Sequence, residues 1–341
     1  MTVLDVAAIP KVQLHCHLEG TVHPQRFRDL AKRHGVDIGA RGSVPLAETY
    51  RFSNFGEFLL LFCDVSGVLR TPQDYAELAT DFTLDAAAAG VRYAEVFVSP
   101  SVWTWFHHGI DVEATFAAMR TAFDEAKRSS GVEVAFICDL TRNFGPERAL
   151  ETAKLAISLA KYGIVGVGLG GDEAKYPPEL FAQAFDLARS AGLHTVAHAG
   201  EAAGAESVRN AVEILKSERI GHGVRAIEDP AVVALLAERR IPLEICPTSN
   251  HLTGAAPADL AHPMGALDAA GVIVTIDADD PALFGTTLLE EYGFVARTLG
   301  AAAVWRFIEN GIEASFAPDA LRAEMRAALA VARNRSGAVE V

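Results

Sequence analysis

Hydrophobic residues recur along the chain in short, almost uninterrupted runs, which alternate with longer stretches of helical periodicity. The short runs are rich in β-branched residues, as is typical of parallel strands that are buried on both faces. Such runs occupy residues 12–18, 91–100, 132–140, 164–173, 193–201, 219–224, 241–250 and 272–281. Eight strands that alternate with helices predict an α/β fold of the (β/α)8 TIM-barrel type, with a doubly wound open sheet as the alternative.

The longest gap between predicted strands, residues 24–90, separates the first strand from the second. It is too long for a single crossover, so we predict a helical insertion between strands 1 and 2 that partly acts as a lid. Its last helix has recognisable ends, because Thr71 suits the N-cap, Pro72 the first helical position and Gly90 the C-terminus. No linker or low-complexity segment interrupts the chain, and we expect residues 1–341 to form a single domain.

Histidines and carboxylates concentrate at the C-terminal ends of the predicted strands. His15 and His17 end the first strand, and both can reach one ion because alternate residues of a strand point the same way. His198 ends the fifth strand and Asp279 the eighth, and in a barrel these ends meet at one face. Three imidazoles and one carboxylate suit zinc, and they are also compatible with iron, cobalt or manganese.

A metal ion held in this way would lower the pKa of a bound water toward about 7 and so provide a hydroxide nucleophile. Glu201 and His222, which end the fifth and sixth strands, would then be free to transfer protons. Taken singly, an HxH pair, a histidine before a turn and an Asp-Asp-Pro turn are usually structural. Their joint occurrence at one end of the predicted strands favours a mononuclear metal hydrolase.

The stretch GVGLGG at residues 166–171 fits the dinucleotide-binding pattern GxGxxG and follows a predicted strand. That pattern requires a helix beginning at the glycines and an acidic residue at the end of the next strand. Here Pro177 and Pro178 delay the helix, and Asp186, at about the right spacing, lies within it. We therefore interpret the glycines as allowing a ligand to approach the strand end closely. Cys246, which has no second cysteine nearby, is interpreted as a small buried thiol.

Composition and charge exclude several classes of protein. The net charge is −14 and no run is rich in lysine or arginine, which argues against binding nucleic acid or an anionic membrane. No apolar run approaches the roughly 20 residues of a membrane span, and the first residues lack the features of a signal peptide. The four cysteines form no CxxC pair, so we expect reduced thiols and a cytoplasmic location.

Six motifs, in this order, resemble those of the adenosine deaminase family of zinc hydrolases: PKVQLHCHLEG, GLGGDE, HAGE, ERIGHGV, CPTSN and DADDP. They spread over residues 10–281, so the resemblance covers most of the chain. The family's fold is the barrel predicted above. Its activity is the replacement of the 6-amino group of a purine by oxygen, with release of ammonia.

The resemblance also implies roles for individual residues. A barrel that had lost catalysis would lack one of the ligands or the acid of HAGE, and none is missing. The implied roles are zinc binding by His15, His17, His198 and Asp279; protonation of purine N1 by Glu201; activation of the attacking water by His222; a hydrogen bond to N7 by Asp280; and a backbone N–H donor to N3 at Gly171.

Two departures from the family pattern bear on the substrate, which we expect to be a small purine compound. Glu19 stands where family members that act on adenosine often have an aspartate at the ribose 5′-hydroxyl, and a glutamate there resembles the adenine deaminases and other relatives. Adenine-type relatives tend to lack Gly171-Asp172-Glu173, however, and this chain keeps it. Asp277 replaces an asparagine and adds a carboxylate near the site. The expected substrate is adenosine or 2′-deoxyadenosine; the alternatives are 6-aminodeoxyfutalosine, adenine and an N6-substituted adenine compound.

Overall fold

A computed structural model describes residues 4–337 and contains one eight-stranded sheet in which every strand is parallel to its neighbours in the chain. The strands are β1 (Lys11–His17), β2 (Val91–Val98), β3 (Glu133–Asp139), β4 (Ile164–Gly168), β5 (His194–Ala199), β6 (Arg219–His222), β7 (Leu243–Ile245) and β8 (Val274–Ile276). The chain just after β8 closes the sheet on β1, because His17 N–H donates to Asp279 O at 2.9 Å and Asp279 N–H donates to His15 O at 3.0 Å. The predicted (β/α)8 barrel is therefore confirmed.

Helices surround the barrel and cover its C-terminal face. In chain order they are α1 (Pro24–His34), α2 (Phe55–Ser66), α3 (Pro72–Ala88), α4 (Pro100–Phe106), α5 (Val112–Ser130), α6 (Gly145–Ser158), α7 (Ala182–Ser190), α8 (Ala205–Glu213), α9 (Pro230–Arg239), α10 (Pro247–Thr253), α11 (Met264–Ala269), α12 (Pro281–Phe284), α13 (Leu288–Leu299), α14 (Ala301–Ala314) and α15 (Asp319–Gly337). No described helix is both long and apolar enough to cross a membrane.

The predicted insertion between β1 and β2 contains α1, α2 and α3. The last of these begins with the predicted cap: Thr71 Oγ1 accepts from Asp74 N–H at 3.2 Å, and the Asp74 carboxylate accepts from Thr71 N–H at 2.9 Å. Reciprocal bonds of this kind satisfy two backbone donors that the helix leaves unpaired. The inner side of α2 contributes Phe58 and Phe62 to the cavity described below. That the whole chain forms one domain stays a prediction.

Several predicted strands extended too far at their C-terminal ends. β4 ends at Gly168 instead of residue 173, and β7 covers Leu243–Ile245 instead of residues 241–250. In β7 the cause is Pro247, which lacks the N–H that a parallel ladder needs and instead begins α10. The motifs that follow these strands are loops and short helices, and these loops and helices carry the polar groups of the site.

Candidate active site

Four side chains direct their donor atoms toward one point at the C-terminal end of the barrel. Nε2 of His17 lies 3.1 Å from Nε2 of His198. Asp279 Oδ1 lies 3.6 Å from Nε2 of His15 and 3.6 Å from Nε2 of His17. Tetrahedral ligands about 2.0–2.1 Å from zinc stand about 3.3–3.4 Å apart, so these separations fit one ion.

The hydrogen bonding of these groups also indicates a cation. Nε2 of His15 is buried without a hydrogen-bond partner among the described residues, and two imidazole nitrogens that face each other at 3.1 Å cannot both donate. Although burial lowers the pKa of His15, the nearby carboxylates of Asp279 and Glu244 raise it to about 10, which reflects strong negative charge around the cluster. The donor set and its charge therefore fit a divalent metal ion.

Residues below the cluster fix the orientation of His15. Its Nδ1 lies 2.8 Å from a carboxylate oxygen of Glu244, and Glu244 accepts from Arg219 Nε at 2.5 Å. An imidazole held in this way carries its proton on Nδ1 and presents Nε2 to a metal ion. Asp277, expected to add a carboxylate near the site, accepts from the backbone N–H groups of Leu14 and His15 at 2.5 and 3.1 Å. It thereby holds the end of β1 in place.

Two of the predicted site residues have backbone conformations that residues other than glycine rarely adopt. φ is +62° at His222 and +61° at Asp279, in the left-handed region. Such a conformation costs on the order of 1–3 kcal/mol and persists only where the surroundings hold it. At Asp279 the surroundings include Ser249, whose hydroxyl donates to Oδ2 at 2.6 Å. Ser249 therefore orients the carboxylate and leaves Oδ1 directed at the histidines.

We expect Ser249→Ala to weaken metal binding about 10- to 100-fold, as loss of a group that orients a ligand typically does. Titration of the metal-free protein with Zn2+ against a competing chelator measures the affinity. Thr253→Ala is the matched control, because it removes a hydroxyl from the same helix that donates to Ser249 O instead. Equal affinities in the Ser249→Ala variant and the unmodified protein would contradict the assigned role of Ser249.

Glu201 and His222 lie beside the cluster on the cavity side. Nε2 of His222 is 3.6 Å from Oε2 of Glu201 and 3.9 Å from Oδ2 of Asp279. On its other side, Nδ1 of His222 is 3.0 Å from the side-chain amide of Asn250. An amide offers both a donor and an acceptor, so Asn250 can pair with either tautomer of this histidine.

The loop that carries Glu201 is held by a second carboxylate. Glu173 accepts backbone N–H groups from four consecutive residues, Gly200 to Ala203, at 2.7, 3.1, 2.8 and 2.9 Å. Burial, together with the charges of Asp279 and Glu173, raises the pKa of Glu201 well above its ordinary value. This shift favours the protonated form of Glu201, the form that can donate a proton.

A cavity of about 280 Å³ opens above the cluster. Its floor includes His17, His198, Glu201, His222, Asp279 and Asp280. Gly171 lines one wall with φ at +103°, and a Cβ atom there would stand 2.3 Å from Asn143 Oδ1, so only glycine fits. Toward the mouth the walls are apolar and largely aromatic, with Phe55, Phe58, Leu59, Phe62, Val102, Trp105, Phe106 and Phe144.

Asp280 lies on the floor in close contact with the turn after β1. A Cβ atom at Gly20 would stand 1.9 Å from Asp280 Oδ1, so glycine is required beside this carboxylate. Burial, and then the charge of Asp279, raises the pKa of Asp280 well above its ordinary value. N7 of a purine accepts hydrogen bonds, so the predicted contact needs the protonated form of Asp280. The raised pKa of Asp280 favours this form.

Glu19 takes a position that the sequence did not indicate. Its carboxylate is fully buried and accepts from Trp103 Nε1 at 2.6 Å and from Ser99 N–H at 3.0 Å. Glu19 is not among the residues that line the cavity, whereas Ser99 is. Burial raises the pKa of Glu19. The structure therefore brings together every other predicted site residue, and it places Glu19 behind the wall.

Sequence reasoning assigned no role to four residues that shape the site: Glu173, Glu244, Ser249 and Asn250. Glu244 carried a signal, because a lone glutamate within the apolar run PLEIC has to be paired once it is buried. Ser249 and Asn250 belong to the motif CPTSN, but neither residue type by itself indicates a contact to a metal ligand or to a catalytic histidine. As predicted, Cys246 is a buried free thiol.

Comparison with known proteins agrees with this geometry. The family model for adenosine deaminase matches residues 10–331. An aminodeoxyfutalosine deaminase of Streptomyces coelicolor is 40% identical over 315 residues, 91% of this chain and 81% of that protein. An adenine deaminase of Chelativorans is 38% identical over 94% of this chain and 97% of that protein.

Solved structures give the same result. The crystal structure of an adenine deaminase from Arthrobacter aurescens matches with a TM-score of 0.89 and 31% identity over 94% of this chain and 98% of that one. An amidohydrolase from Burkholderia ambifaria, crystallised with bound zinc, matches with a TM-score of 0.89 and 29% identity over 99% of this chain and 96% of that one.

The barrel and its His3Asp cluster define a hydrolase of the amidohydrolase type, which acts on C–N bonds. More particularly, the chain belongs to the adenosine deaminase family, as the resemblance of its motifs predicted.

Proposed function

We propose that this protein is a zinc-dependent deaminase of a 6-aminopurine nucleoside with an altered 5′ position, namely 6-aminodeoxyfutalosine, and that it releases ammonia and leaves a 6-oxopurine. The observation that carries the chemistry is the convergence of three imidazoles and Asp279 beside the buried carboxyl group of Glu201, whose pKa is raised. When bound to His15, His17, His198 and Asp279, the zinc ion would lower the pKa of water and so supply a nucleophile at neutral pH.

The remaining residues bind the purine and transfer protons. Glu201 donates to N1, which localises the C6=N1 bond and makes C6 open to attack. His222, 3.6 Å from Glu201, accepts the proton of the attacking water and passes it toward the leaving amine. The N–H of Gly171 donates to N3, and Asp280 hydrogen-bonds to N7. Burial of these groups excludes bulk water and strengthens each contact.

The choice of substrate rests on the cavity. Aromatic and other apolar side chains line its mouth, above the polar floor that would hold the purine, which favours a substituent on the base. No lysine or arginine lines the described cavity, so a 5′ phosphate would have no counter-charge, and any charged group on the substituent would have to lie at the mouth in water. Glu19 is bound to Trp103 and Ser99 and is not positioned for a 5′-hydroxyl.

The expectation of adenosine or 2′-deoxyadenosine therefore has less support than its alternative. The relatives named above act on aminodeoxyfutalosine and on adenine. Adenine is the second candidate, because the adenine deaminases match over almost their whole length. Two features favour a nucleoside over adenine: the chain keeps Gly171-Asp172-Glu173, which adenine-type relatives tend to lack, and apolar side chains line the mouth of the cavity.

A substrate panel tests this choice. We expect ammonia release with zinc supplied to be fastest from 6-aminodeoxyfutalosine, with kcat/KM at least about 10-fold above that for adenosine, 2′-deoxyadenosine or adenine. AMP should be the poorest substrate, since burying an unpaired phosphate is costly. If kcat/KM were highest for adenine, the second candidate would replace the proposed substrate. Absence of turnover with every aminopurine would contradict the deaminase chemistry itself.

A further inference from the structure

Asp139, the last residue of β3, lines the cavity but has no role in the site described above. Its side chain is almost fully buried, with 3% of the residue exposed, and Oδ1 has no hydrogen-bond partner among the described residues. Two glycines make room for the carboxylate. A Cβ atom at Gly168 would lie 3.0 Å from Oδ1, and one at Gly170 would lie 2.9 Å from Oδ2.

No neighbouring cation satisfies this carboxylate. The guanidinium of Arg142 lies three residues further along the chain, and it donates instead to Tyr176 O at 2.7 Å and to His198 O at 2.5 Å. A buried polar group without a partner destabilises the protein, so such a group commonly serves a ligand. The backbone N–H of Gly170 bonds to the carboxylate, but Oδ1 of Asp139 is an acceptor that the fold leaves unpaired at the cavity wall.

The order of the strands places Asp139 relative to the substrate. In the proposed binding mode N1 meets Glu201 after β5, N3 meets Gly171 after β4, and N7 meets Asp280 after β8. The strands follow one another around the barrel, so the arc from β4 to β8 passes β3, β2 and β1. The ring order from N3 to N7 passes N9. The N9 substituent must therefore face the ends of β1, β2 and β3.

Within this arc, Asp139 is the one acidic side chain among the described residues that reaches the cavity, because Glu19 lies behind the wall. Its carboxylate contacts Gly170, the neighbour of the Gly171 that is proposed to read N3. In the anti conformer of a purine nucleoside, the ribose 2′-hydroxyl lies on the N3 side of the glycosidic bond. The 2′-hydroxyl and Asp139 thus share one side of the base.

We propose that Asp139 hydrogen-bonds to the ribose 2′-hydroxyl and makes the enzyme prefer ribonucleosides; this inference rests on the proposed function. Burial and the charge of Glu19 raise the pKa of Asp139 to about 7. A hydroxyl group can donate to the ionised carboxylate and accept from the protonated one, so it suits both forms.

The test compares two changes that would remove the same bond. 6-Aminodeoxyfutalosine and its 2′-deoxy counterpart are assayed with the zinc-loaded wild-type enzyme and with Asp139→Ala. Because the hydrogen bond would involve a charged group, we expect kcat/KM to fall about 10- to 100-fold when either the Asp139 carboxylate or the 2′-hydroxyl is removed. Removing both should cost little more than removing one, and turnover of free adenine, which has no sugar, should be unchanged.

If Asp139→Ala assayed on the 2′-deoxy substrate lost the product of the two single losses in kcat/KM, the inference would be overturned. A large loss of adenine turnover in Asp139→Ala would overturn it too, because Asp139 would then contact the base. Thr141→Val removes a hydroxyl from the same cavity wall and serves as the matched control. If this variant and not Asp139→Ala abolished the discrimination against the 2′-deoxy substrate, the contact would belong to Thr141. A wild-type enzyme that turned over adenine but no nucleoside would instead contradict the proposed function. Zinc content and the melting temperature show whether each variant is folded and loaded.

Discussion

Glu201→Gln is expected to reduce kcat for ammonia release by about 10²- to 10⁴-fold, the range that a positioned proton donor contributes. Glutamine has nearly the same shape and can still hydrogen-bond to N1, but it has no acidic proton to give. The backbone N–H of residue 201 still donates to Glu173, so the loop should keep its position. Because Glu201 is not among the converging donors, zinc should stay at the wild-type ratio per chain.

Two measurements on this variant distinguish a proton donor from a metal ligand: steady-state turnover, and metal content by atomic absorption. Glu206→Gln, on the exposed side of α8, is the control and should retain full activity. Zinc loss in Glu201→Gln together with the loss of activity would mean that Glu201 is a ligand and that the proton donor is another residue. Wild-type turnover with zinc bound would remove Glu201 from the mechanism altogether.

The pattern of hydrophobic runs predicted the number, order and approximate start of the strands. A parallel barrel strand is buried on both faces, so its residues form an apolar block whatever their detailed contacts. The C-terminal ends were less predictable. IVGVGLGG remains apolar and small beyond Gly168, and only the three-dimensional path shows that the ladder stops there. Pro247 was the clearest local signal against a longer β7.

The convergence of His15, His17, His198 and Asp279 was predictable because strand ends meet at one face of a barrel. The surroundings of these residues were not predictable, because they depend on contacts distant in sequence. Glu173 holds a loop 27 to 30 residues away, and Glu244 orients a histidine 229 residues away. Glu19 lies two residues after β1, yet its carboxylate is bonded to the indole of Trp103 and does not line the cavity.

His17→Ala is expected to lose zinc and activity together, and turnover should fall to the background rate. His17 is a suitable histidine to remove, because its Nδ1, like that of His198, has no hydrogen-bond partner among the described residues. His15 is less suitable, since its Nδ1 also pairs with Glu244. Without His17, Nε2 of His198 loses the nitrogen it faces at 3.1 Å, and only three of the four protein donors remain to hold the ion.

Thermal melting with and without added zinc tests the loss of zinc binding in His17→Ala without any substrate. A ligand that binds the native state stabilises it by RT ln(1 + [L]/Kd), so wild-type protein should melt at a higher temperature with zinc than after chelation. His17→Ala should show no such difference while it melts near the temperature of the chelated wild type. His23→Ala, at an exposed position soon after β1, should behave as wild type.

If His17→Ala bound one zinc per chain with undiminished affinity, His17 would not be a ligand and the His3Asp assignment would be wrong. If it bound zinc weakly and regained turnover at high zinc concentration, the remaining donors would suffice for catalysis, and the contribution of His17 would be affinity alone.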